Sequence, residues 1–125
     1  MCSFLTVGVE GKRASALEAA LVALSLGVGR QVNPHVARLF VPGDVLCMVT
    51  HGDCSCDLVS LKADSPREEK RRRRGLSGSR KPNQLSASLF AVLRVHAPVR
   101  FFFHEVGGDQ FVEPVPSGAC VTVID

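Results

Sequence analysis

A chain of 125 residues with 46% hydrophobic and 22% charged residues can bury one hydrophobic core, and this composition excludes an intrinsically disordered protein. Tyr and Trp are both absent, which removes residue types that often anchor protein interfaces or stack on nucleic-acid bases. Residues 66–81 contain eight Lys/Arg and two Glu, a local charge of +6, so the net charge of +3 leaves −3 for the rest of the chain.

The cysteine pattern and the apolar runs predict the compartment. The five cysteines, at positions 2, 47, 54, 56 and 120, do not have the spacing of a disulfide framework. The longest apolar run, residues 14–26, contains Glu18 and is shorter than the roughly 20 apolar residues that a membrane-spanning helix needs. Because no secretory signal is visible either, we expect a cytoplasmic protein with reduced thiols and no membrane association.

The first half of the chain predicts strands around one helix. Residues 3–10 alternate and are rich in β-branched residues, as in a strand. Ser15 and Glu18 form a capping box ahead of a helix with apolar residues at helical spacing, and Gly27 and Gly29 are expected to end it. Three further strands are expected over 35–42, 45–50 and 56–61, with a turn at 42–44 and a five-residue hairpin loop at 51–55.

The second half predicts a basic helix, a core helix and two strands. Ser65, Pro66 and Glu68 favour the start of a solvated helix, which continues into the cationic run Lys70–Arg74. A core helix is expected over 83–97, and strands are expected over 99–106 and 119–125. Side-chain alternation along 99–106 places Phe101 and Phe103 on one face and Phe102 and His104 on the other.

This order of elements predicts an α+β fold. We expect a mostly antiparallel sheet of five to six strands with two helices packed on one face, plus a short basic surface helix. The whole chain, 1–125, is predicted to be a single domain that carries a basic, mobile insert over 62–84.

The stretch HGDCSCDL, residues 51–58, is the main chemical lead. Alternate residues of an extended segment point the same way, so Cys54 and Cys56 can bind one ion, with His51 nearby on the same stretch. Zinc prefers about four sulfur or nitrogen ligands, and Cys2, Cys47 and His104 are candidates to complete the set. The metal hypothesis therefore names zinc as the cofactor, held by Cys2, Cys54, Cys56 and His51. The alternative is a polar hairpin turn with Gly52 at its bend and no cofactor.

Two thiol chemistries compete with metal binding. His51 is within local reach of Cys54, and such a pair lowers the pKa of a thiol. The start Met-Cys resembles that of N-terminal-nucleophile hydrolases such as the class II glutamine amidotransferases, which implies Cys2 as nucleophile and its α-amine as base. This chain continues Cys2-Ser3-Phe4 where that family has Cys-Gly-Ile.

Three stretches together, MCSFLTV, GDCSCDL and REEKRRRRGLS, resemble a group of small uncharacterised bacterial proteins. The resemblance implies that Cys2, Cys54 and Cys56 act together. It implies no substrate.

The leading functional hypothesis from the sequence is a small, non-enzymatic protein-binding module, such as an immunity or antitoxin-type inhibitor. A charged projection can meet an acidic protein partner. The alternatives are the zinc or reactive-thiol site, and nucleic-acid binding through the run Lys70–Arg74. The predicted partner-binding residues are Arg67, Lys70, Arg71, Arg72, Arg73 and Arg74.

Overall fold

The computed structural model describes residues 2–61 and 84–125, which form a five-stranded antiparallel sheet with the strand order β2-β3-β1-β4-β5. Along the chain the main elements follow the order β-α-β-β-α-β, and an edge strand comes last. In the sheet, β3 lies between the two strands of the first β-α-β unit. This confirms the predicted α+β class. The elements are β1 (Cys2–Glu10), α1 (Gly11–Ala23), β2 (Gly27–Arg30), α2 (Pro34–Ala37), β3 (Asp44–Thr50), a 3₁₀ helix (Cys56–Leu61), α3 (Gln84–Val95), β4 (Val99–Val106) and β5 (Thr122–Ile124).

Strand β1 lies at the centre of the sheet and is buried on both faces from Ser3 to Val9. One face packs on the two long helices, α1 and α3. The other face is covered by the chain after β2, where Gln31 Nε2 donates to Thr6 Oγ1 at 2.7 Å and Phe40 lies against Gly8. The residues that join β1 to the two helices are Leu5, Val7, Val9, Leu17, Leu21, Leu89 and Leu93.

Helix α1 differs from its prediction at both ends. It begins at Gly11 instead of after Ser15, and it ends at Ala23, followed by Ser25 with a φ of 63°. Gly27 and Gly29 do not end the helix, because they lie in the edge strand β2, where Val28 pairs with Val49. The apolar residues therefore keep a helical spacing beyond the end of α1, although the last of them lies in a strand.

Ser15 provides a direct test of this start. Because Ser15 lies exposed inside α1, its hydroxyl is not a helix cap, and Ser15→Ala should leave the free energy of unfolding unchanged or raise it by up to about 0.5 kcal/mol. A capping serine would instead lose about 1 kcal/mol on the same change. Urea denaturation distinguishes the two signs.

The predicted strand over 35–42 is wrong, because this segment holds the short helix α2 and a turn. Asn33 caps α2 by accepting the backbone N–H of His35 at 2.9 Å, and Pro34 occupies the first helical position. The Asn33 side chain, fully buried, also donates to the carbonyls of Gln110 and Glu113, both at 2.9 Å. These contacts tie the two loops on the outer sheet face together.

Other predictions agree more closely. Strands β1 and β3, helix α3 and strand β4 lie where they were expected, and β5 is shorter than predicted. Phe101 and Phe103 lie on the helix-covered face with ring centroids 6.1 Å apart, and Phe102 and His104 lie on the other face, 6.2 Å apart. The predicted strand over 56–61 is wrong, since residues Cys56–Leu61 form a 3₁₀ helix.

The basic segment lies outside the described residues. This applies to the predicted helix with Arg67 and Lys70–Arg74, and to the insert over 62–84 except for residue 84, which begins α3. The protein-binding and nucleic-acid-binding hypotheses that depend on these side chains stay predictions, as does the cytoplasmic compartment. No helix in the described part of the chain has the length and apolar character needed to cross a bilayer.

Candidate metal centre

Three cysteines meet at the first residue of β1. The Sγ atoms of Cys2, Cys54 and Cys56 all lie within 4.8 Å of one another. Cys2 is exposed, and the other two are half-buried. The cluster joins the end of the central strand to a turn more than fifty residues later in the chain.

The turn that carries Cys54 and Cys56 is tighter than the predicted five-residue loop. His51 and Cys54 pair as an isolated antiparallel bridge, with the His51 N–H donating to the Cys54 carbonyl at 2.8 Å. Gly52, with a φ of 74°, and Asp53 form the two-residue turn between them. After Cys54 the backbone no longer pairs with β3: the Ser55 N–H donates to the Ser3 carbonyl of β1, and the 3₁₀ helix begins at the next residue.

Ser55 is the residue that attaches this turn to β1. The ladder between β1 and β3 ends at the pair Leu5–Val49, and Ser55 takes up the hydrogen bonds beyond it. Its N–H donates to the Ser3 carbonyl at 2.8 Å, and its Oγ accepts the Leu5 N–H at 2.8 Å and donates to the Val49 carbonyl. Ser55 is fully buried, so these bonds are shielded from water, and they hold Cys54 and Cys56 beside Cys2.

The sequence reasoning did not single out Ser55. A serine between two cysteines in a turn predicts only a polar loop residue. Its role depends on strand β1, which is distant in sequence, so no local signal could have identified it.

The hydrogen bonds of the cluster shift the pKa values of the two thiols of the turn in opposite directions. The Ser3 backbone N–H, 3.4 Å from Cys56 Sγ, lowers the pKa of the Cys56 thiol, and the Cys54 and Cys2 thiols lower it further against the effects of burial and of Asp57. The Cys56 N–H alone would lower the pKa of Cys54, but it is outweighed by the Cys56 thiol and by burial, so the pKa of Cys54 is raised. Of these two thiols, Cys56 is therefore the one that deprotonates first.

His51 does not belong to the group of three thiols. Its Nδ1 lies 2.8 Å from Asp57 Oδ2, and both side chains are about half exposed. His51 thus pairs with Cys54 through the backbone, while its imidazole contacts a carboxylate. In metal sites a carboxylate often orients an imidazole in this way.

Cys47 and His104, which were candidates to complete the site, lie elsewhere. Cys47 is buried on the helix-covered face, where its Sγ donates to Glu18 Oε1 at 3.5 Å. Burial, and then Glu18, raise the pKa of Cys47 to about 11. His104 is buried on the opposite face, with Nε2 3.2 Å from the Pro114 carbonyl. Neither contributes to the group of three thiols.

Comparison with known protein families, with curated proteins and with solved structures finds no match to this chain. The resemblance to small bacterial proteins stays a prediction. The described residues also form one sheet with the two long helices on one face, whereas the class II glutamine amidotransferases have a four-layer fold. The geometry of the three thiols is therefore the basis for a functional conclusion.

Proposed function

We propose that the protein binds one zinc ion through the thiolates of Cys2, Cys54 and Cys56. The observation that carries the proposal is the convergence of the three Sγ atoms within 4.8 Å from two distant parts of the chain. Free cysteines are usually buried as small hydrophobic residues, and these three are exposed or half-buried side by side.

The distances suit a zinc–thiolate site. With Zn–S bonds of about 2.3 Å in a tetrahedron, two sulfur ligands lie about 3.8 Å apart. The three Sγ atoms therefore need to approach one another by only about 1 Å or less. Soft thiolate ligands favour zinc over magnesium or calcium.

The backbone around the cluster favours the form of cysteine that binds metals. The thiolate is the ligand, and the Ser3 N–H at 3.4 Å from Cys56 Sγ stabilises negative charge on that sulfur. Ser55 holds the turn in place through buried hydrogen bonds. The ligands are thus positioned before the ion arrives, which reduces the ordering that binding requires.

Three protein ligands leave the fourth position of a tetrahedral zinc ion for another group. Cys2 is exposed, and the same turn that carries Cys54 and Cys56 also carries His51, which is paired with Asp57. The three cysteines also lie outside the hydrophobic core, which is completed by apolar residues. Zinc is therefore expected to add to the stability of an already folded domain.

Zinc titration of the reduced, metal-free chain tests the proposal. We expect one zinc per chain, and a free energy of unfolding that rises by about 2.7 kcal/mol when free zinc is 100 times Kd. Chelation should reverse the increase. Cobalt substitution should add sulfur-to-cobalt charge-transfer absorption. A structural zinc site is nearly fully occupied, so a chain that retains less than about a tenth of an equivalent of zinc would overturn the proposal.

A further inference from the structure

Cys56 is the central member of the three-thiol cluster. Its Sγ lies within 4.8 Å of the Sγ atoms of both Cys54 and Cys2, and it also accepts the Ser3 N–H at 3.4 Å. The cluster is open to solvent, because Cys2 is exposed and Cys56 is half-buried. Accessible thiols with a second thiol in reach are the usual sites of reversible oxidation.

We propose that a peroxide oxidises this cluster to a disulfide between Cys2 and Cys56, and that this disulfide and the zinc ion exclude one another. The first part depends on the three thiols alone. The second part rests on the proposed zinc site, since the disulfide consumes two of its three ligands.

Cys2 is the favoured partner for Cys56 because of what holds Cys54. A disulfide needs two sulfur atoms about 2.05 Å apart with a dihedral angle near 90°. A Cys54–Cys56 bond would close a small ring around Ser55, whose N–H and Oγ are already fixed to Ser3, Leu5 and Val49. Cys2 lies on a separate strand with an exposed side chain, so it can rotate toward Cys56 without breaking those bonds.

The reaction balances with hydrogen peroxide as the oxidant. The Cys56 thiolate attacks one peroxide oxygen, an S–O bond forms, the O–O bond breaks, and hydroxide leaves and takes a proton to become water. The Cys2 thiolate then attacks Cys56 Sγ, the S–S bond forms, the S–O bond breaks, and a second hydroxide leaves as water after protonation. Two thiols and one peroxide become one disulfide and two waters, so the sulfur atoms lose two electrons and the peroxide oxygens gain them.

Zinc and the disulfide compete because they use the same sulfur atoms. After oxidation only Cys54 remains as a thiolate ligand, and a single thiolate does not hold zinc. In the other direction, zinc-bound sulfur atoms have their electron pairs engaged and react more slowly with peroxide.

Mass spectrometry of the reduced, metal-free full chain after hydrogen peroxide treatment tests the disulfide. We expect the loss of two hydrogen atoms, reversed by dithiothreitol, and a cross-linked peptide that contains Cys2. Cys54→Ser should still form this cross-link, whereas Cys2→Ser and Cys56→Ser should not. Cys120→Ser is the matched control, because Cys120 is exposed but lies outside the cluster, and it should behave as the unchanged chain.

Zinc measurements on the same samples test the competition. The oxidised chain should no longer bind one zinc per chain, and reduction should restore this binding. Added oxygen without a cross-link, or a disulfide that joins Cys54 to Cys56, would overturn the disulfide assignment. Retention of zinc by the cross-linked chain would overturn the competition. If the reduced chain binds no zinc, the proposed function fails, while the cross-link is still decided by mass.

Discussion

Cys56→Ser is expected to weaken zinc binding by more than about 100-fold, a larger loss than a change in the residues around the ligands produces. Cys56 Sγ lies within 4.8 Å of both other Sγ atoms, so Cys56→Ser leaves only the two thiolates of Cys2 and Cys54 for the ion. Serine keeps the size of the side chain, but its hydroxyl is a poor ligand for zinc compared with a thiolate. Competition with a chromophoric chelator measures the loss.

The control for this change is Cys120→Ser. Cys120 is an exposed cysteine outside the cluster, so its replacement should leave the zinc affinity unchanged. Since Cys56 is half-buried and outside the hydrophobic core, Cys56→Ser should change the metal-free stability by no more than about 0.5 kcal/mol. Equal zinc affinity in the two variants would contradict the three-thiol site.

Ser55→Ala is expected to lower the free energy of unfolding by about 2–4 kcal/mol. The change removes the buried hydroxyl that accepts the Leu5 N–H and donates to the Val49 carbonyl. Each group is then left without this partner in a buried setting, at a cost of about 1–3 kcal/mol. The Ser55 N–H still bonds to the Ser3 carbonyl, so the turn should loosen without detaching.

Ser55→Ala also tests whether the stability of the turn and zinc binding depend on each other. Because Ser55 positions Cys54 and Cys56, Ser55→Ala should also weaken zinc binding, and zinc should recover part of the lost stability. Ser15→Ala, a change to an exposed serine in α1, is the matched control and should lose neither. Urea denaturation with and without zinc measures both effects, and a loss below about 0.5 kcal/mol would mean that the Ser55 hydroxyl does not hold the turn.

The two segments wrongly predicted as strands, 35–42 and 56–61, share a physical origin. Asn33 and Pro34 carry a helix-start signal that was outweighed by the apolar residues of 35–42. Residues 56–61 have the composition of a strand, but Ser55 uses its hydrogen-bonding groups on β1 and Val49, and the chain turns into a 3₁₀ helix instead. In both places a side-chain hydrogen bond competed with the strand pattern and determined the local structure.

The candidate site, too, was predictable from the sequence only in part. The residue types were visible in HGDCSCDL and in Cys2, because thiolates are the ligands that zinc prefers. The full ligand set was not, since the sequence predicted His51 as a ligand and offered Cys47 and His104 as further candidates. The sheet decided among them: it turned Cys47 into the core, placed His104 on the opposite face and left His51 with Asp57.

The sequence alone determined the α+β class, the central strands and the cysteines of the turn, because alternation, helical spacing and residue chemistry act locally. Only the tertiary structure decided that Cys2 meets Cys54 and Cys56. That contact depends on where the β1–β3 ladder ends and on how Ser55 continues it, through hydrogen bonds between residues about fifty positions apart. Backbone pairing over such distances leaves no pattern in either segment, so the sequence named these cysteines as candidates but could not give the distance between them.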